Sequence, residues 1–489
     1  MEKNLQSCVC ECEEANSRRR PSATMLPQLP RILKVKRPHN AEAPEAPLTA
    51  ASSSSKMRCV LAAACLALVG SLVALLVVLL RVSALEAAWS PPLTSSADAI
   101  LTAPLPSNDT ELVLIAHGSC ANQRIPAPYW ATIAGLDPQL FIFNGDIIYA
   151  DCYTDGAIDG CPNLAEGWAA FAEHDDIAVV ADTLPMVGML DDHDYGANDC
   201  SASNPFKQLA KEHFLHRFGA PQNDVRRTRP GLHKAYSFGP AGRRTQVILL
   251  DTRWFRSPFA SSPCHRGNRT AARIARETCD CAYCAGIERY VPYTAEEEAA
   301  GHYTMLGESQ WRWLEEQLRE PADVRLVVST VQVLAEGHGW ERWGMIPSEL
   351  VRLQRLIHTT RANGVVLLSG DRHIGALYKL PATGGEAPYP LYEATASSLT
   401  HSSRSGCVLE GKPGCHAEDL PLMLQPATDE NNVGTVAIDW EARTVTLGLV
   451  ASDDCGMSPQ PWGKVCEQHR GHAGLLLQHV TINLDELRA

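Results

Sequence analysis

The chain has 489 residues, a formal net charge of -13 at pH 7, and 45% hydrophobic and 20% charged residues. That length exceeds a small single-core module, and the composition is that of a chain that folds. The acidic balance excludes a protein built to grip a phosphate backbone, which needs clustered lysine and arginine, so nucleic-acid binding is not expected.

Taken in chain order, residues 1–58 carry ten Lys/Arg against six Asp/Glu. Their 41-AEAPEAPLTAASSSS-55 stretch has too little apolar surface to offset ordering entropy, so this part reads as a disordered cytosolic tail. Next comes 59-CVLAAACLALVGSLVALLVVLL-80, twenty-two residues without a charge. A helix of that length would cross a hydrocarbon core of about 30 Å. Lys56 and Arg58 abut its first residue, and Arg81 is the one positive residue close beyond it. The charge asymmetry predicts a single-pass type II signal anchor, with the later residues extracellular or in the lumen of the secretory pathway. Residues 81–110 read as a stalk and 111–489 as the folded domain. Twelve of the 17 cysteines follow residue 80, as expected of an oxidising compartment. Cys152–Cys161, Cys407–Cys415 and Cys455–Cys466 are the plausible short disulfide loops. The 279-CDCAYC-284 cluster lacks a second ligand pair at zinc-finger spacing, so disulfides are expected there too. Asn108 and Asn268 begin glycosylation sequons.

From about Glu111 onward short apolar runs alternate with polar clusters. The runs 112–116, 140–143, 186–190, 246–250, 325–334 and 365–369 are rich in Val, Ile and Leu, which predicts strands buried on both faces. Between them, 308–318 places Trp311, Leu314 and Leu318 on one helical face, and 348–360 is a second helix with Ser348 as N-cap. Further on, 434–450 alternates about Glu441-Ala442 as a hairpin, and 474–484 is another strand. The sum is an α/β domain with a β-rich C-terminal portion.

The strand ends share a character. Cys120 follows the first, and Asp146, Tyr149 and Asp151 follow the second. Asp191, Asp192, His193 and Asp194 follow the third, Asp251 and Arg253 the fourth, and Asp371, Arg372 and His373 the last. In such sheets ligands gather beyond the carboxyl ends of strands. Any one of these residues has an ordinary role: Asp146 as a turn or cap, His373 as a satisfied histidine, Cys120 as a buried thiol. Together they are a set of close carboxylates that resist joint ionisation unless cations sit among them. Mixed O, N and S donors suit a transition metal beside a harder ion. Arg253 and Arg372 offer forks for an anionic substrate group. The alternatives fit less well: a cysteine phosphatase needs an arginine at a spacing that Arg124 does not meet, and HGSCA at 117–121 is not a serine-hydrolase elbow.

These residues carry a resemblance. GSC at 118–120, GDIIYAD at 145–151, DDHDYGAND at 191–199, VILLDTRWFRSP at 247–258, LGESQWRWLEEQL at 306–318 and SGDRH at 369–373 resemble the alkaline phosphatase D (PhoD-like) metallophosphatases of the calcineurin-like metallophosphoesterase superfamily. The resemblance spans about Leu112 to Thr400. It implies an αββα sandwich of two mixed sheets, here preceded by a single N-terminal transmembrane helix. It also implies two or more metal ions, iron with calcium, other divalent metals being the alternative. Asp146 would bridge them. Cys120 and a tyrosine would bind iron, the tyrosine being Tyr149 or a neighbour such as Tyr153. Asp192, Asp371 and His373 would be further ligands, and His193 would stand near the leaving oxygen. Arg253 and Arg372 would steady the phosphoryl group. The implied function is a membrane-anchored phosphoesterase that hydrolyses phosphate mono- or diesters, nucleotides among them, by metal-hydroxide attack. The rival reading is a non-catalytic binding module on the same fold.

Overall fold

The computed structural model describes residues 99–152, 161–261, 289–336, 338–382, 386–400, 402, 422–428, 430–452 and 472–488. All belong to one compact unit, Ser96–Ala489. The tail, the 59–80 segment and the stalk before residue 99 lie outside the described residues. So do Tyr153, Asn268, the 279–284 cluster and the pairs Cys407–Cys415 and Cys455–Cys466. Among the described residues no helix is long and apolar enough to cross a membrane. The expected type II membrane protein, with its transmembrane helix and its extracellular or luminal domain, is corrected on that finding.

The strands are β1 (Leu114–Gly118), β2 (Leu140–Asn144), β3 (Met186–Met189), β4 (Lys234–Phe238), β5 (Thr245–Leu249), β6 (Ala260–Ser261), β7 (Tyr290–Val291), β8 (Val324–Val328), β9 (Val365–Ser369), β10 (Gly375–Leu380), β11 (Leu391–Ala396), β12 (Asn432–Asp439), β13 (Thr444–Ala451) and β14 (Leu476–Asn483). They form two six-stranded mixed sheets, ordered β14-β13-β12-β1-β2-β3 and β10-β11-β9-β8-β5-β4, with β6 and β7 a separate pair. β1, β2 and β3 run parallel in the first sheet. β5, β8, β9 and β11 run parallel in the second. The antiparallel strands β12–β14 extend the first sheet beyond β1, so the C-terminal hairpin completes the sheet that carries the first motif.

The parallel strands are sealed because both faces are covered: every residue of β2, β5, β8 and β9 is buried, Gln246 of β5 and Arg325 of β8 included. The helix Gly307–Arg319 buries Trp311, Leu314 and Leu318, as its spacing predicts, with Gln310 beside them. Two local expectations change. The ten-residue run 325–334 is a strand only to Val328, because the buried carboxylate of Glu393 accepts from the Val333 and Leu334 amides (2.9 and 2.6 Å) and takes the place of a ladder. Ser348 is not a cap: the helix begins at Pro347, whose missing N–H suits the first turn.

The two sheets meet at their carboxyl ends. Asn144, closing β2, donates to the Ser369 carbonyl of β9 at 3.0 Å. Gly145, with φ +91, leaves β2 so tightly that an added Cβ would lie 2.4 Å from the Cβ of Asp191. Gly145→Ala is therefore expected to destabilise the fold by about 2 kcal/mol or more, from strained backbone plus overpacking. Urea denaturation of the variant checks this; a change within about 0.5 kcal/mol would mean that the turn relaxes freely.

Candidate metal centre

Beyond β1 the chain turns at Cys120, whose buried Sγ lies 3.5 Å from Asp146 Oδ2 and 3.4 Å from Ser397 Oγ. Burial pushes this thiol up to about 12 against the hydrogen bonds of Ser119 and Ser397. Beyond β2, Asp146 Oδ2 also accepts from the Tyr149 hydroxyl at 3.4 Å, and that hydroxyl is 3.1 Å from His373 Nε2 beyond β9. His373 is held in turn by its amide, which donates to Ser397 Oγ at 2.6 Å. Cys120, Asp146, Asp371 and His373 all sit at positive φ (63°, 50°, 69° and 54°). Left-handed backbone is uncommon for such residues, and four instances at strand ends converge on one place.

Beyond β3, the short helix Asp192–Tyr195 supplies the next donors. Asp194 is structural. Its carboxylate accepts from the amides of Ile147 and Ile148 (both 2.8 Å) and of Asp191 (2.9 Å), tying this helix to the turn after β2. Asp192 accepts from the His193 and Asp199 amides at 2.8 and 2.6 Å, which aims its carboxylate. His193 stacks on Tyr149, with ring centroids 4.2 Å apart, and its Nδ1 is 2.7 Å from Asp151 Oδ2. Burial alone would lower its pKa, but the Asp192 and Asp151 carboxylates carry it up to about 9.

Within this arrangement Cys120, Asp146 and His373 form one group whose ligand atoms lie within 4.8 Å of one another. Asp146, Asp192 and His193 form a second, and Asp191, Asp192 and Asp371 a third. A profile of the PhoD-like phosphatases matches residues 115–447. The chain belongs to the PhoD-like phosphatase family.

A solved structure of PhoD aligns over 72% of this chain and 69% of its own, with a TM-score of 0.52 and 16% identity, which speaks for the fold alone. GAP50, the anchor in the inner membrane complex of Plasmodium, aligns over 74% of this chain and 94% of its own at 13% identity, with a TM-score of 0.37. No curated protein matches the chain.

Charge sorts the acids of this PhoD-like phosphatase into two kinds. Asp191 pairs with Arg253 Nε at 2.5 Å, Glu341 with Arg253 and Arg256 at 2.6 and 2.5 Å, and Asp199 with Arg289 at 2.6 Å. These acids have their cations already, although Asp192, Asp199 and Glu341 are also close enough to form a fourth group. Among the described residues no guanidinium lies at salt-bridge distance from Asp146 or Asp371. Burial raises both carboxyls well above the usual range, helped by Asp192 and Cys120 for the first and by Asp191 and Asp192 for the second. Asp146 Oδ1 accepts no hydrogen bond among the described residues. Buried acids with raised affinity for positive charge, beside a thiol, a phenol and an imidazole, fit metal ions.

Two expected residues lie differently. Arg253 was expected to bind substrate, but it is fully buried, with donors on Asp191, Glu341 and the Cys200 carbonyl. Its fork is turned into the protein. Asp251 closes its own turn by accepting from the Arg253 and Trp254 amides, and ties that turn to the chain before β4 by accepting from the Leu232 amide. Arg372 is buried with its guanidinium 5.6 Å from the Trp340 ring centroid. Sequence reading did not single out Asp199, Arg256, Arg289 or Glu341. Asp199 sits inside the DDHDYGAND motif, whereas Glu341 lies in GHGWERWG, where no spacing marks it.

Proposed function

We propose that this chain is a metal-dependent phosphoesterase acting on phosphate mono- or diesters. The observation that carries the reading is Asp146, which is shared by two ligand groups and lacks any arginine partner at salt-bridge distance among the described residues. Cys120, Asp146, Tyr149 and His373 would hold iron, since thiol, phenol and imidazole suit a transition metal. Asp146, Asp192 and Asp371 would hold a harder ion such as calcium. Bound ions there would polarise the phosphoryl oxygens and make a water acidic enough to attack phosphorus at neutral pH.

The remaining work falls to protein groups. His193 is half-buried, and its Nε2 would reach the leaving oxygen and give it a proton. Asp151, bonded to Nδ1, holds the ring orientation and leaves Nε2 to face the ester. Arg372 would steady the phosphoryl charge, and Arg253 would position Asp191 and Glu341. His193→Ala is expected to lower kcat by about 10²–10⁴-fold, with a larger loss for alkyl than for p-nitrophenyl leaving groups. Asp151→Asn should show the same leaving-group pattern in milder form. Equal losses on both leaving groups would remove His193 from proton transfer.

The reading as a whole is tested on full-length protein with p-nitrophenyl phosphate and its bis ester, before and after a chelator, with metal content measured on the same sample. Turnover lost on chelation and restored by calcium or iron is the expected result, and the ester ratio separates monoesterase from diesterase. Folded protein with neither metal nor turnover would leave the non-catalytic binding module.

A further inference from the structure

The Cys152–Cys161 pair expected from the sequence is a disulfide, and both of its cysteines are buried. It begins at the residue after Asp151, whose Oδ2 lies 2.7 Å from His193 Nδ1. It ends at the residue before the helix Pro162–Ala172, which is fixed in the core by Leu164, Trp168 and Phe171. In the first turn of that helix Asn163 donates its Nδ2 to the Asp151 carbonyl at 2.6 Å. One helix start therefore grips Asp151 twice, by a hydrogen bond to its own carbonyl and by a covalent bond one residue on. The grip also reaches the element that carries His193. The short helix Asp192–Tyr195 ends at Gly196, with φ +98. The Gly196 carbonyl accepts from the Cys152 amide at 2.7 Å, and a Cβ added to Gly196 would lie 3.1 Å from Cys161 Sγ.

We propose that the Cys152–Cys161 disulfide and Asn163 are positioning elements for proton transfer, which fix Asp151 against His193 so that Nε2 meets the leaving oxygen. The proposal rests on the phosphoesterase reading above. Earlier parts of the turn after β2 have holders of their own. Asp194 takes the Ile147 and Ile148 amides, and Gln123 bonds both the amide and the carbonyl of Tyr149. At Asp151 that task passes to Asn163 and the disulfide. A carboxylate displaced by about 1 Å lets the imidazole turn, and misalignment on that scale costs up to about 100-fold in rate. Only a leaving group that needs the proton registers the loss.

The test uses full-length, metal-loaded protein with ethyl and p-nitrophenyl esters, each as the phosphate mono- and diester. Cys152→Ser combined with Cys161→Ser should lower kcat for the ethyl ester by about 10–100-fold and for the p-nitrophenyl ester by less than about threefold. KM and metal content should stay unchanged. Asn163→Ala, which keeps the disulfide, should give the same pattern in smaller measure, and it decides alone if the cysteine variant does not fold. In a His193→Ala background neither change should cost anything further on the ethyl ester. Equal losses on the two leaving groups, or an undiminished loss in His193→Ala, would overturn the positioning role. Should wild type hydrolyse none of the esters, the phosphoesterase reading fails, and proton NMR decides the positioning separately. A low-field imidazole N–H resonance, identified by its loss in His193→Ala, should vanish when the disulfide is removed, and its persistence would overturn the proposal.

Discussion

Asp146→Asn is expected to lower metal affinity by more than about 100-fold, abolish turnover, and raise the melting temperature of the metal-free protein. Loss of a residue that merely orients a ligand costs about 10–100-fold in affinity, and Asp146 stands in two ligand groups at once. The stability gain follows from charge. Without metal, Asp146 is a buried carboxyl whose pKa is raised by burial and then by Asp192 and Cys120. A carboxyl whose folded-state pKa exceeds its unfolded value of about 4 stabilises the fold below that value, and this contribution is lost as pH rises through the raised folded pKa. Asp371 is shifted in the same direction. Chelated wild type should therefore melt higher at about pH 5.5 than at about pH 8, and asparagine at 146 should flatten that dependence. Added metal should raise the melting temperature of wild type at pH 8 and leave the variant unmoved. Differential scanning calorimetry at the two pH values reads all three effects. A chelated wild type that gains stability with rising pH would show that the acids of the centre are already neutralised within the protein.

Much of this centre was legible because its residues sit where the apolar runs stop. Cys120, Asp146, Asp371 and His373 each follow a buried strand by two to four residues, and strand ends of parallel sheets converge. The strands were legible for the same reason: a segment buried on both faces has no polar alternation to confuse its reading. What failed was information that is not local. Nothing in VSTVQVL says that Glu393, some sixty residues on, takes the amides of Val333 and Leu334 away from the ladder. Arg253 and Arg372 look alike as sequence, each an arginine just past a strand. The positions of Asp191, the Cys200 carbonyl and Glu341, brought in from other loops, turn Arg253 inward. Asp251 likewise looked like a member of the site until its carboxylate was seen to hold two amides of its own turn and that of Leu232.

Arg253→Met is expected to cost about 3–5 kcal/mol of stability, the range for removing one partner of a buried ion pair. The guanidinium serves two carboxylates that have almost no contact with water, Asp191 and Glu341. Methionine fills part of the volume but leaves, among the described residues, Asp191 with only Thr330 as a side-chain donor and Glu341 with Arg256 alone. If the ion pair is the cause, neutralising the orphaned acid should recover part of the loss: Arg253→Met with Asp191→Asn should be more stable than Arg253→Met alone by about 1–2 kcal/mol. Arg253→Lys keeps the charge but not the fork, so it can meet one carboxylate and should fall between wild type and methionine. Urea denaturation of these four proteins, with Asp191→Asn alone added to close the cycle, reads the energies. Turnover adds a second reading, because the Arg253 Nη2 lies 4.0 Å from Asp192 Oδ1. A positioning role predicts that metal affinity falls with stability in Arg253→Met, whereas direct substrate binding would raise KM at unchanged metal affinity. The guanidinium is fully buried with its donors on Asp191 and Glu341, and so the first pattern is the one its surroundings require.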